Sequence, residues 1–422
     1  MKMENNWRKS QRVYFKQSRF NRRKILLSAL VTLLTLPLFF KGILFLKEKG
    51  IQFPFSKVQA PDEINPDLGP VILAALEIPQ MEDVQIIPIG DNTLSIDSDL
   101  QKQIQTIFKK YNPAFATAVV LDAEDSSVLA LVNHQGEKNF PEKEFWPLSG
   151  RFPAASIYKL VTAAAAIEDP EFSLNTRLQT TGNPYRLYPK KIKDKRWMRG
   201  GRKVTLLEAF SNSYNVPFGD LTLRYLDKDI LQEMSYKFGF DRSIPFNLNI
   251  TKSHTVLPDN KFKLAETSAG LGENTLSPMH GALMAAAIVN DGIVYPPSIL
   301  SHPSREKGSH PFIHLRPSTA KEIEKMMQRT ISHGTARRTF RGWNRHPVLK
   351  GSLLGGKTGS LMCKEFKGRC DWFIGFGQKG LKKIAVSILM VNRHIWHIKP
   401  PIVARRIWEK TLQPSQVMAV NP

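Results

Sequence analysis

The spacing of apolar and polar residues predicts strands near both ends of one region of the chain, with helices between them. Residues 116–134 contain two short apolar runs on either side of a charged cluster, which predicts two strands joined by a turn at 122–127. From residue 353, LLGGKTGSLMC and CDWFIGFG are apolar runs joined by the polar KEFKGR, which predicts a second hairpin. Residues 382–391, KKIAVSILMV, predict one further strand.

Apolar residues three and four positions apart, the spacing of one helix face, recur through the rest of the chain. They predict helices over residues 99–111, 204–213, 216–238, 276–289, 317–332 and 400–412. In the helix over 317–332, Pro317 followed by Ser318 predicts that Ser318 is the N-cap. Because strands come from both ends and helices lie between them, this order favours an α+β fold with an antiparallel sheet and an inserted helical region.

The N-terminal segment has the pattern of a membrane anchor. Residues 25–46 form a 22-residue apolar run that would span roughly 33 Å as a helix, enough for a bilayer core. Residues 1–24 contain nine Lys or Arg against the single acid Glu4. No A-x-A-like cleavage site follows residue 46, so we expect an uncleaved anchor rather than a signal peptide. The basic head should stay in the cytoplasm, with all later residues outside the inner face.

The net charge of +23 is strongly basic, and the first 24 residues account for +8 of it. Nucleic-acid binding is one interpretation, but the chain has no nucleic-acid motif and its basic head runs directly into the apolar segment. A second basic stretch, residues 188–203, contains eight Lys or Arg. It is interpreted either as a solvated loop or as a rim that attracts an anionic substrate.

The chain has two cysteines, Cys363 and Cys370, on either side of KEFKGR in the predicted second hairpin. In an exported domain such a pair commonly forms a disulfide, and we predict one here; the alternative is two unpaired thiols. Neither cysteine has a histidine nearby, and the pair His394 and His397 lacks a third ligand. The sequence therefore predicts no metal site and no cofactor.

The pattern S-x-x-K places a hydroxyl and an amine on one helix face, because side chains three residues apart are neighbours. It occurs at Ser156–Lys159, Ser304–Lys307 and Ser318–Lys321. Residues 304–307 lie in a loop rich in breakers, and Ser318 is explained as a cap. Only Ser156 opens a long apolar helix, predicted over PAASIYKLVTAAAAI, that would hold it rigidly. A serine nucleophile needs a base, and burial can lower a lysine pKa until the neutral amine serves as one.

Two further motifs follow in order. S-x-N occurs in the acidic stretch at Ser173–Asn175 and at the end of a helical segment at Ser213–Asn215, whereas K-T-G occurs once, at residues 357–359. S-x-x-K, S-x-N and K-T-G in this order are the motifs of penicillin-binding proteins and class A β-lactamases. Over roughly residues 96–412 the chain resembles the penicillin-binding protein transpeptidases. The likeness is strongest to the class B type, which has an anchor helix and no glycosyltransferase domain.

Other stretches add to this resemblance. AVVLDAEDSSVLALV is similar to the opening hairpin of the family, with Ser126-Ser127 where a glycine is usual, and GLGENTLSPMHGALMAAAIVNDGIVYPP is similar to the stretch before the third motif. Gly334-Thr335-Ala336 and residues 371–376 also fit. Tyr214 is bulkier than the usual Ser, Cys or Asp of the second motif, which bears on substrate preference.

The resemblance implies the serine β-lactamase/transpeptidase-like fold. This is an α+β fold with an antiparallel five-stranded sheet, helices on both faces and an inserted all-helical region, here preceded by one transmembrane helix. The expected organisation is a basic cytoplasmic head, a transmembrane anchor, a linker or stalk and a penicillin-binding transpeptidase domain, at residues 1–24, 25–46, 47–95 and 96–415. The expected location is the bacterial cytoplasmic membrane, with the catalytic domain on the periplasmic side.

The resemblance also implies a role for each site residue. Ser156 would attack the D-Ala–D-Ala carbonyl of a peptidoglycan stem peptide, with Lys159 as the base. Ser213 would relay a proton to the leaving amine, and Asn215 would hold the substrate amide or orient the lysine. Substrate binding is expected from a further set: Lys357 and Thr358 for the terminal carboxylate, Gly359 for close approach of the strand, and the N–H groups of Ser156 and Ser360 for the oxyanion.

The function implied is a D,D-transpeptidase of cell-wall synthesis and cell shape, which acts without a cofactor. Its partners would be peptidoglycan stem peptides, β-lactams, the membrane through the anchor, and a cell-wall synthesis complex. Two alternatives remain. One is a hydrolase, either a D,D-carboxypeptidase or a β-lactamase, and the other is a penicillin-binding sensor or scaffold without turnover. The anchor and length favour the transpeptidase over a secreted β-lactamase, and the intact motifs argue against a scaffold.

Overall fold

The fold is organised around a sheet whose strands come from both ends of the described chain. A computed structural model describes residues 94–137, 145–188, 201–301, 310–363, 365–393 and 398–413. The predicted basic head, anchor and most of the linker therefore lie outside the described residues. Among the helices in the ranges above, none is long and apolar enough to cross a membrane.

The strands and helices of the described residues follow in chain order. The strands are β1 (Phe115–Asp122), β2 (Val128–Gln135), β3 (Phe152–Pro153), β4 (Arg177–Thr180), β5 (Arg202–Thr205), β6 (Thr275–Leu276), β7 (Ile293–Val294), β8 (Ile313–His314), β9 (Leu353–Cys363), β10 (Gly368–Lys379) and β11 (Lys382–Asn392). The α-helices are α1 (Ser98–Tyr111), α2 (Lys159–Ile167), α3 (Leu206–Ser211), α4 (Val216–Tyr225), α5 (Lys228–Lys237), α6 (Lys261–Ser268), α7 (Pro278–Val289), α8 (Pro317–Ser332) and α9 (Pro400–Thr411). Short 3₁₀ helices span Trp146–Leu148, Ala155–Tyr158 and Trp343–Arg345.

The main sheet has five antiparallel strands in the order β2-β1-β11-β10-β9. Strand β9, which carries the K-T-G motif, is at one edge and pairs with β10 so that Lys357 lies opposite Ile374. An edge strand leaves one row of backbone N–H and C=O groups unpaired by the sheet. The third motif is therefore presented at an edge where a substrate backbone could lie.

Both faces of the sheet are covered, and β1 shows how. Its side chains alternate between the faces: Val119 and Leu121 belong to one buried cluster, and Ala118 and Val120 belong to another. Helix α7, buried along its whole length, packs against β1, β10 and β11 on the first side. Helices α1 and α9 pack on the second side. The predicted α+β fold, with helices on both faces of an antiparallel sheet, is confirmed.

The inserted region between β2 and β9 is mostly helical, but not wholly so as predicted. Three short ladders, β3 with β6, β4 with β5 and β7 with β8, lie within it. The helix predicted over 204–213 begins only at Leu206, because strand β5 extends to Thr205, whose side chain caps α3. The helix predicted over 216–238 is two helices, since Asp227 has extended backbone and caps α5.

The predicted cap at Ser318 is wrong. Helix α8 begins at Pro317, its N-cap is Arg316, and no side chain caps it. A proline at the first helical position has the required φ and no N–H to satisfy, so the helix starts without a serine cap. In the opening hairpin, Ser126 has φ +65°, the left-handed backbone that favours the glycine usual at this turn.

Candidate active site

The candidate nucleophile lies in a tight turn that precedes the central helix. The sequence predicted one helix starting near Ser156, but Ala155–Tyr158 form a 3₁₀ turn and helix α2 begins at Lys159. Ala155 has φ +48°, an uncommon conformation for an alanine, which sets the direction in which the turn enters the helix. Ser156 is half-buried between its buried neighbours. The turn therefore fixes the hydroxyl while leaving it accessible.

Lys159 is fully buried, and its Nζ has three close partners. It lies 2.9 Å from Ser156 Oγ, 2.7 Å from Asn215 Oδ1 and 2.6 Å from the carbonyl oxygen of Ala269. A neutral amine has two N–H donors and one lone pair. It can therefore donate to the amide and carbonyl oxygens and accept the serine O–H, which is the arrangement that a base requires.

The surroundings of Lys159 favour that neutral form. Burial lowers the pKa of Lys159 well below its usual value of 10.5, and the positive charge of Lys357 lowers it further. The ring of Phe218 lies 5.5 Å from Nζ and supplies part of the apolar environment. Two effects, loss of hydration and repulsion between like charges, thus act in the same direction.

The second motif follows helix α3 in a left-handed turn, with Ser213 at φ +58°. Asn215 is held by the turn at residues 183–186. Its Nδ2 donates to the carbonyl of Tyr185 at 2.8 Å, and its backbone N–H donates to the carbonyl of Pro184 at 2.8 Å. Because its Nδ2 is engaged, the amide presents Oδ1 to Lys159.

The third motif brings a second buried lysine to the site. Lys357 is fully buried on β9, and its Nζ donates to Ser213 Oγ at 2.9 Å and to the carbonyl of Thr358 at 2.7 Å. Burial lowers the pKa of Lys357 from 10.5 to about 7. The first and second motifs thus meet at Lys159, and the second and third meet at Lys357.

The rest of β9 lies against the nucleophile turn. A Cβ on Gly359 would come within 3.2 Å of Ile157 Cγ1 and 3.4 Å of Ala155 Cβ, so the absence of a side chain permits this approach. Thr358 Oγ1 is hydrogen-bonded to Thr335 Oγ1 at 2.7 Å. Ser360 Oγ donates to Asp371 and accepts from Arg369 Nε at 2.5 Å.

The predicted disulfide between Cys363 and Cys370 is present, at the end of the β9–β10 hairpin. The hairpin loop carries Phe366, which is 2% exposed and stacks on Phe152 with ring centroids 4.9 Å apart. Phe152 lies four residues before Ser156. The disulfide therefore closes a hairpin whose loop is part of the core beneath the candidate site.

The other motif matches lie elsewhere. Ser173 and Asn175 are exposed in a turn where Ser173 Oγ accepts the Asn175 N–H at 3.3 Å. Ser318 is in the first turn of α8. Three stretches named in the sequence fall outside the described residues: 304–307, 394–397 and, within the basic stretch, 189–200. The ranges that the structure covers contain no group of three or more His, Cys, Asp or Glu able to hold a metal ion.

Three contacts of the site were not predicted from the sequence. The carbonyls of Ala269 and Tyr185 are backbone atoms, so no residue type indicates them. Thr335 belongs to the Gly-Thr-Ala stretch, but the sequence does not indicate that its hydroxyl is hydrogen-bonded to Thr358 of the third motif. Tyr185 also packs edge-on against Tyr214 at 5.3 Å, which forms an aromatic wall beside Ser213.

The site is one cluster of a half-buried serine, two buried lysines, a second serine and an amide. The fold and this cluster define an active-site-serine protein of the transpeptidase class. A family model described as "Penicillin binding protein transpeptidase domain" matches residues 116–408. The chain belongs to the penicillin-binding protein transpeptidase family.

Two curated relatives and one solved structure illustrate the likeness. Stage V sporulation protein D of Bacillus subtilis is 23% identical over 295 residues, covering 64% of this chain and 44% of that protein. Peptidoglycan D,D-transpeptidase PbpA of Mycolicibacterium smegmatis is 30% identical over 159 residues, covering 36% of this chain and 32% of that protein. The imipenem acyl-enzyme complex of penicillin-binding protein A from M. tuberculosis is 22% identical, with a TM-score of 0.59. The match covers 76% of this chain and 79% of that structure. The alignments thus span less than half of either curated relative.

Proposed function

We propose that this protein is a serine D,D-transpeptidase that cross-links peptidoglycan stem peptides through an acyl-enzyme on Ser156. The observation that carries the proposal is the position of Lys159, fully buried with Nζ 2.9 Å from Ser156 Oγ. Family membership supports it. So do the name of the M. smegmatis relative, a peptidoglycan D,D-transpeptidase, and the imipenem acyl-enzyme of the M. tuberculosis protein.

Acylation follows from the contacts of the two lysines. Neutral Lys159 takes the Ser156 O–H proton as Oγ bonds to the carbonyl carbon of the penultimate D-Ala. The carbonyl oxygen becomes an oxyanion, for which the N–H groups of Ser156 and Ser360 are the proposed donors. The C–N bond then breaks, and the proton that Lys159 took from Ser156 passes through Ser213 to the departing D-Ala amine, which leaves Lys159 neutral again. Lys357 and Thr358 hold the carboxylate of that leaving residue.

Deacylation reverses these roles with a new amine. The acceptor amine attacks the ester carbonyl, and neutral Lys159 takes the proton that this amine loses. The C–O bond to Ser156 breaks and Oγ regains a proton from the lysine. The product is a new amide between two stem peptides, and the enzyme returns to its starting protonation state. A β-lactam would acylate the same oxygen.

The proposal extends to location. Residues 25–46 would anchor the chain in the bacterial cytoplasmic membrane, with the basic head inside and the transpeptidase domain on the periplasmic side. The disulfide supports this orientation, because such bonds persist in oxidising compartments. A cell-wall synthesis complex is the setting in which such an anchored enzyme would work.

Fluorescent penicillin labelling of the full-length protein tests the proposed nucleophile. Wild type should form a covalent adduct and Ser156→Ala should form none. Ser173→Ala and Ser318→Ala, which alter the other motif matches, should label like wild type. Mass spectrometry then tests the reaction class. A long-lived adduct agrees with a transpeptidase, rapid release would indicate a β-lactamase, and labelling of Ser156→Ala would contradict the nucleophile assignment.

A further inference from the structure

A basic pocket lies on the connection between helix α8 and strand β9. It has a volume of about 690 Å³, and its lining includes Arg337, Arg338, Arg341, Phe340 and Trp343. The three arginines are exposed at its mouth. We refer to these three arginines and their cavity as the arginine pocket.

The positive charge of the arginine pocket is not neutralised by the chain. Residues 325–364 contain nine Lys or Arg and no Asp or Glu. Within the described part of the chain, no carboxylate forms an ion pair with any of the three arginines. The nearby carboxylate of Glu409 is already bonded to Arg405 at 2.8 Å. A cluster of unpaired guanidinium groups at a concave surface attracts carboxylate and phosphate groups.

The arginine pocket is held rigidly by the fold. Phe340 is 1% exposed and packs against Phe373 and Trp408, with ring centroids 6.1 and 5.6 Å away. Arg405 Nη1 donates to the carbonyl of Thr339 at 2.8 Å. The loop is therefore pinned to the sheet on both its apolar and polar sides, so a ligand would bind with little loss of loop entropy.

The segment that carries the arginine pocket contacts the candidate active site through Thr335. Thr335, two residues before Arg337, is hydrogen-bonded to Thr358 of the third motif, and its N–H donates to the carbonyl of Ser211 at 3.0 Å. The chain turns tightly after Thr335, since the N–H of Arg337 donates to the carbonyl of Gly334 at 3.2 Å and the N–H of Phe340 donates to the carbonyl of Ala336 at 3.3 Å. Thr335 thus links the carboxylate side of the active site directly to the arginines.

The chemistry of the transfer step indicates which substrate would extend from the active site towards Thr335. The incoming acceptor amine takes the place of the outgoing D-Ala amine at the ester carbonyl. The carboxylate of the outgoing residue is assigned to Lys357 and Thr358, so an acceptor longer than one residue must continue beyond Thr358. Thr335 contacts Thr358 there, and the three arginines follow Thr335 along the chain. Water, the acceptor of a hydrolase, would make no use of such a site.

We infer that the arginine pocket is an acceptor subsite that binds a distal carboxylate of the acceptor stem peptide. This inference rests on the proposed transpeptidase function and adds to it the anchoring of the second substrate. The guanidinium fork matches a planar carboxylate. The pocket contributes to the deacylation step alone, so acylation by the donor or by penicillin does not depend on it.

A pair of synthetic acceptors tests the inference on the full-length protein. Both peptides carry the same free amine, but one has its distal carboxylates free and the other has them amidated. A stem pentapeptide ending in D-Ala–D-Ala serves as donor, and transfer and hydrolysis products are measured together. The pocket variant is the triple substitution of Arg337, Arg338 and Arg341 by Gln. The matched control is Arg345→Gln, an exposed arginine on the same connection that does not line the pocket.

The expected result is selective. The triple variant should raise the KM of the charged acceptor about tenfold, the scale of one charge-assisted hydrogen bond, and leave the KM of the amidated acceptor unchanged. Penicillin labelling should remain at the wild-type rate, which also shows that the variant is folded. Arg345→Gln should behave as wild type in every assay.

Four outcomes would overturn the inference. Wild type could show equal KM values for the two acceptors, or the triple variant could raise both KM values by the same factor. Either result would reject the arginine pocket as an acceptor subsite while leaving the transpeptidase function in place. Acylation without transfer to either acceptor would reject the transpeptidase function and the acceptor subsite with it. Unchanged acceptor kinetics, combined with weaker binding of the triple variant to vesicles of anionic phospholipid, would assign the pocket to the membrane surface instead.

Discussion

Lys357 Nζ lies 2.9 Å from Ser213 Oγ, although 144 residues separate the two in the chain. The contact joins the second and third motifs across the site. Because Lys357 is fully buried, the loss of hydration lowers its pKa to about 7. Its charge therefore changes near neutral pH, and the binding of a substrate carboxylate should change with it.

We expect the affinity for a D-Ala–D-Ala peptide to fall as pH rises. Below about pH 7 Lys357 is positive and attracts the terminal carboxylate, whereas above that pH it is neutral and the attraction is lost. The measurement is the Kd of the peptide for Ser156→Ala, in which no acylation competes with binding. Affinity should weaken up to about tenfold for each pH unit above the pKa.

Lys357→Arg in the same Ser156→Ala background is the control, because arginine keeps its charge throughout this range. Its Kd should be nearly independent of pH. If the Ser156→Ala protein also bound the peptide equally well on both sides of neutrality, Lys357 would not be the carboxylate ligand.

Lys159 is expected to control the rate of acylation by penicillin. An exposed lysine with a pKa of 10.5 is neutral in only about one molecule in 3,000 at pH 7, whereas burial and Lys357 lower the pKa of Lys159. Lys159→Arg keeps a positive charge and cannot accept the serine proton. Stopped-flow acylation should be slower by about 10²- to 10⁴-fold, the usual contribution of a general base.

The pH profile separates this role from a structural one. Wild-type acylation should rise with pH as Lys159 loses its proton, and the residual rate of Lys159→Arg should stay flat. Lys321→Arg, in the S-x-x-K match of helix α8, should keep the wild-type profile. A profile for Lys159→Arg that rises like wild type would mean that another group takes the proton.

Gly270 is expected to be essential for placing the Ala269 carbonyl beside Lys159. It has φ +77°, and a Cβ there would lie 2.2 Å from the carbonyl oxygen of Ala155 and 2.8 Å from Ser156 Cα. Gly270→Ala should therefore displace the nucleophile turn and abolish most penicillin labelling. Labelling kinetics and thermal unfolding, measured on the same sample, distinguish loss of the site from loss of the fold.

Gly351 provides a matched control for this substitution. It has the same φ of +77°, but nothing lies within 4 Å of a Cβ built on it. Gly351→Ala should lose only about 1 kcal/mol of stability from the left-handed backbone and keep its labelling rate. Similar labelling of the two variants would show that the contact of Gly270 with the nucleophile turn has no role in acylation.

Much of the fold could be predicted because strands and helices each have a local pattern of apolar and polar residues in the sequence. Strand β11 is a run of β-branched and aliphatic residues, and α8 repeats apolar residues at helical spacing, so neither needed tertiary information. The sequence pattern does not reveal the break between α4 and α5, since Asp227 fits a helical pattern as well as a cap. The local spacing of residues cannot distinguish a helix interior from a helix cap when apolar residues continue on both sides.

The meeting of the motifs was predictable for a different reason. Ser156, Ser213 and Lys357 are side chains of specific chemistry in a specific order, so their types carry the signal. The carbonyls of Ala269 and Tyr185 are backbone groups that every residue has, so the sequence does not indicate them. Only the tertiary fold shows that they hold Lys159 and Asn215 in place.

The disulfide between Cys363 and Cys370 is expected to stabilise the domain without taking part in acylation. Replacing both cysteines by Ala should lower the free energy of unfolding by about 2 kcal/mol, as expected for a short closed loop. Penicillin labelling well below the melting temperature should be unchanged, because the backbone pairing of β9 with β10 still holds the K-T-G motif in register.

Reduction of the wild-type protein provides the check on this prediction. Dithiothreitol should lower the melting temperature of wild type to that of the double Ala variant, and it should leave the melting temperature of the variant unchanged. The alternative is that the hairpin loop helps to position the nucleophile, because Phe366 stacks on Phe152 beneath the nucleophile turn. If reduction slowed labelling of the folded protein, the hairpin loop would be positioning Ser156 through these two rings, and the disulfide would be part of the catalytic framework.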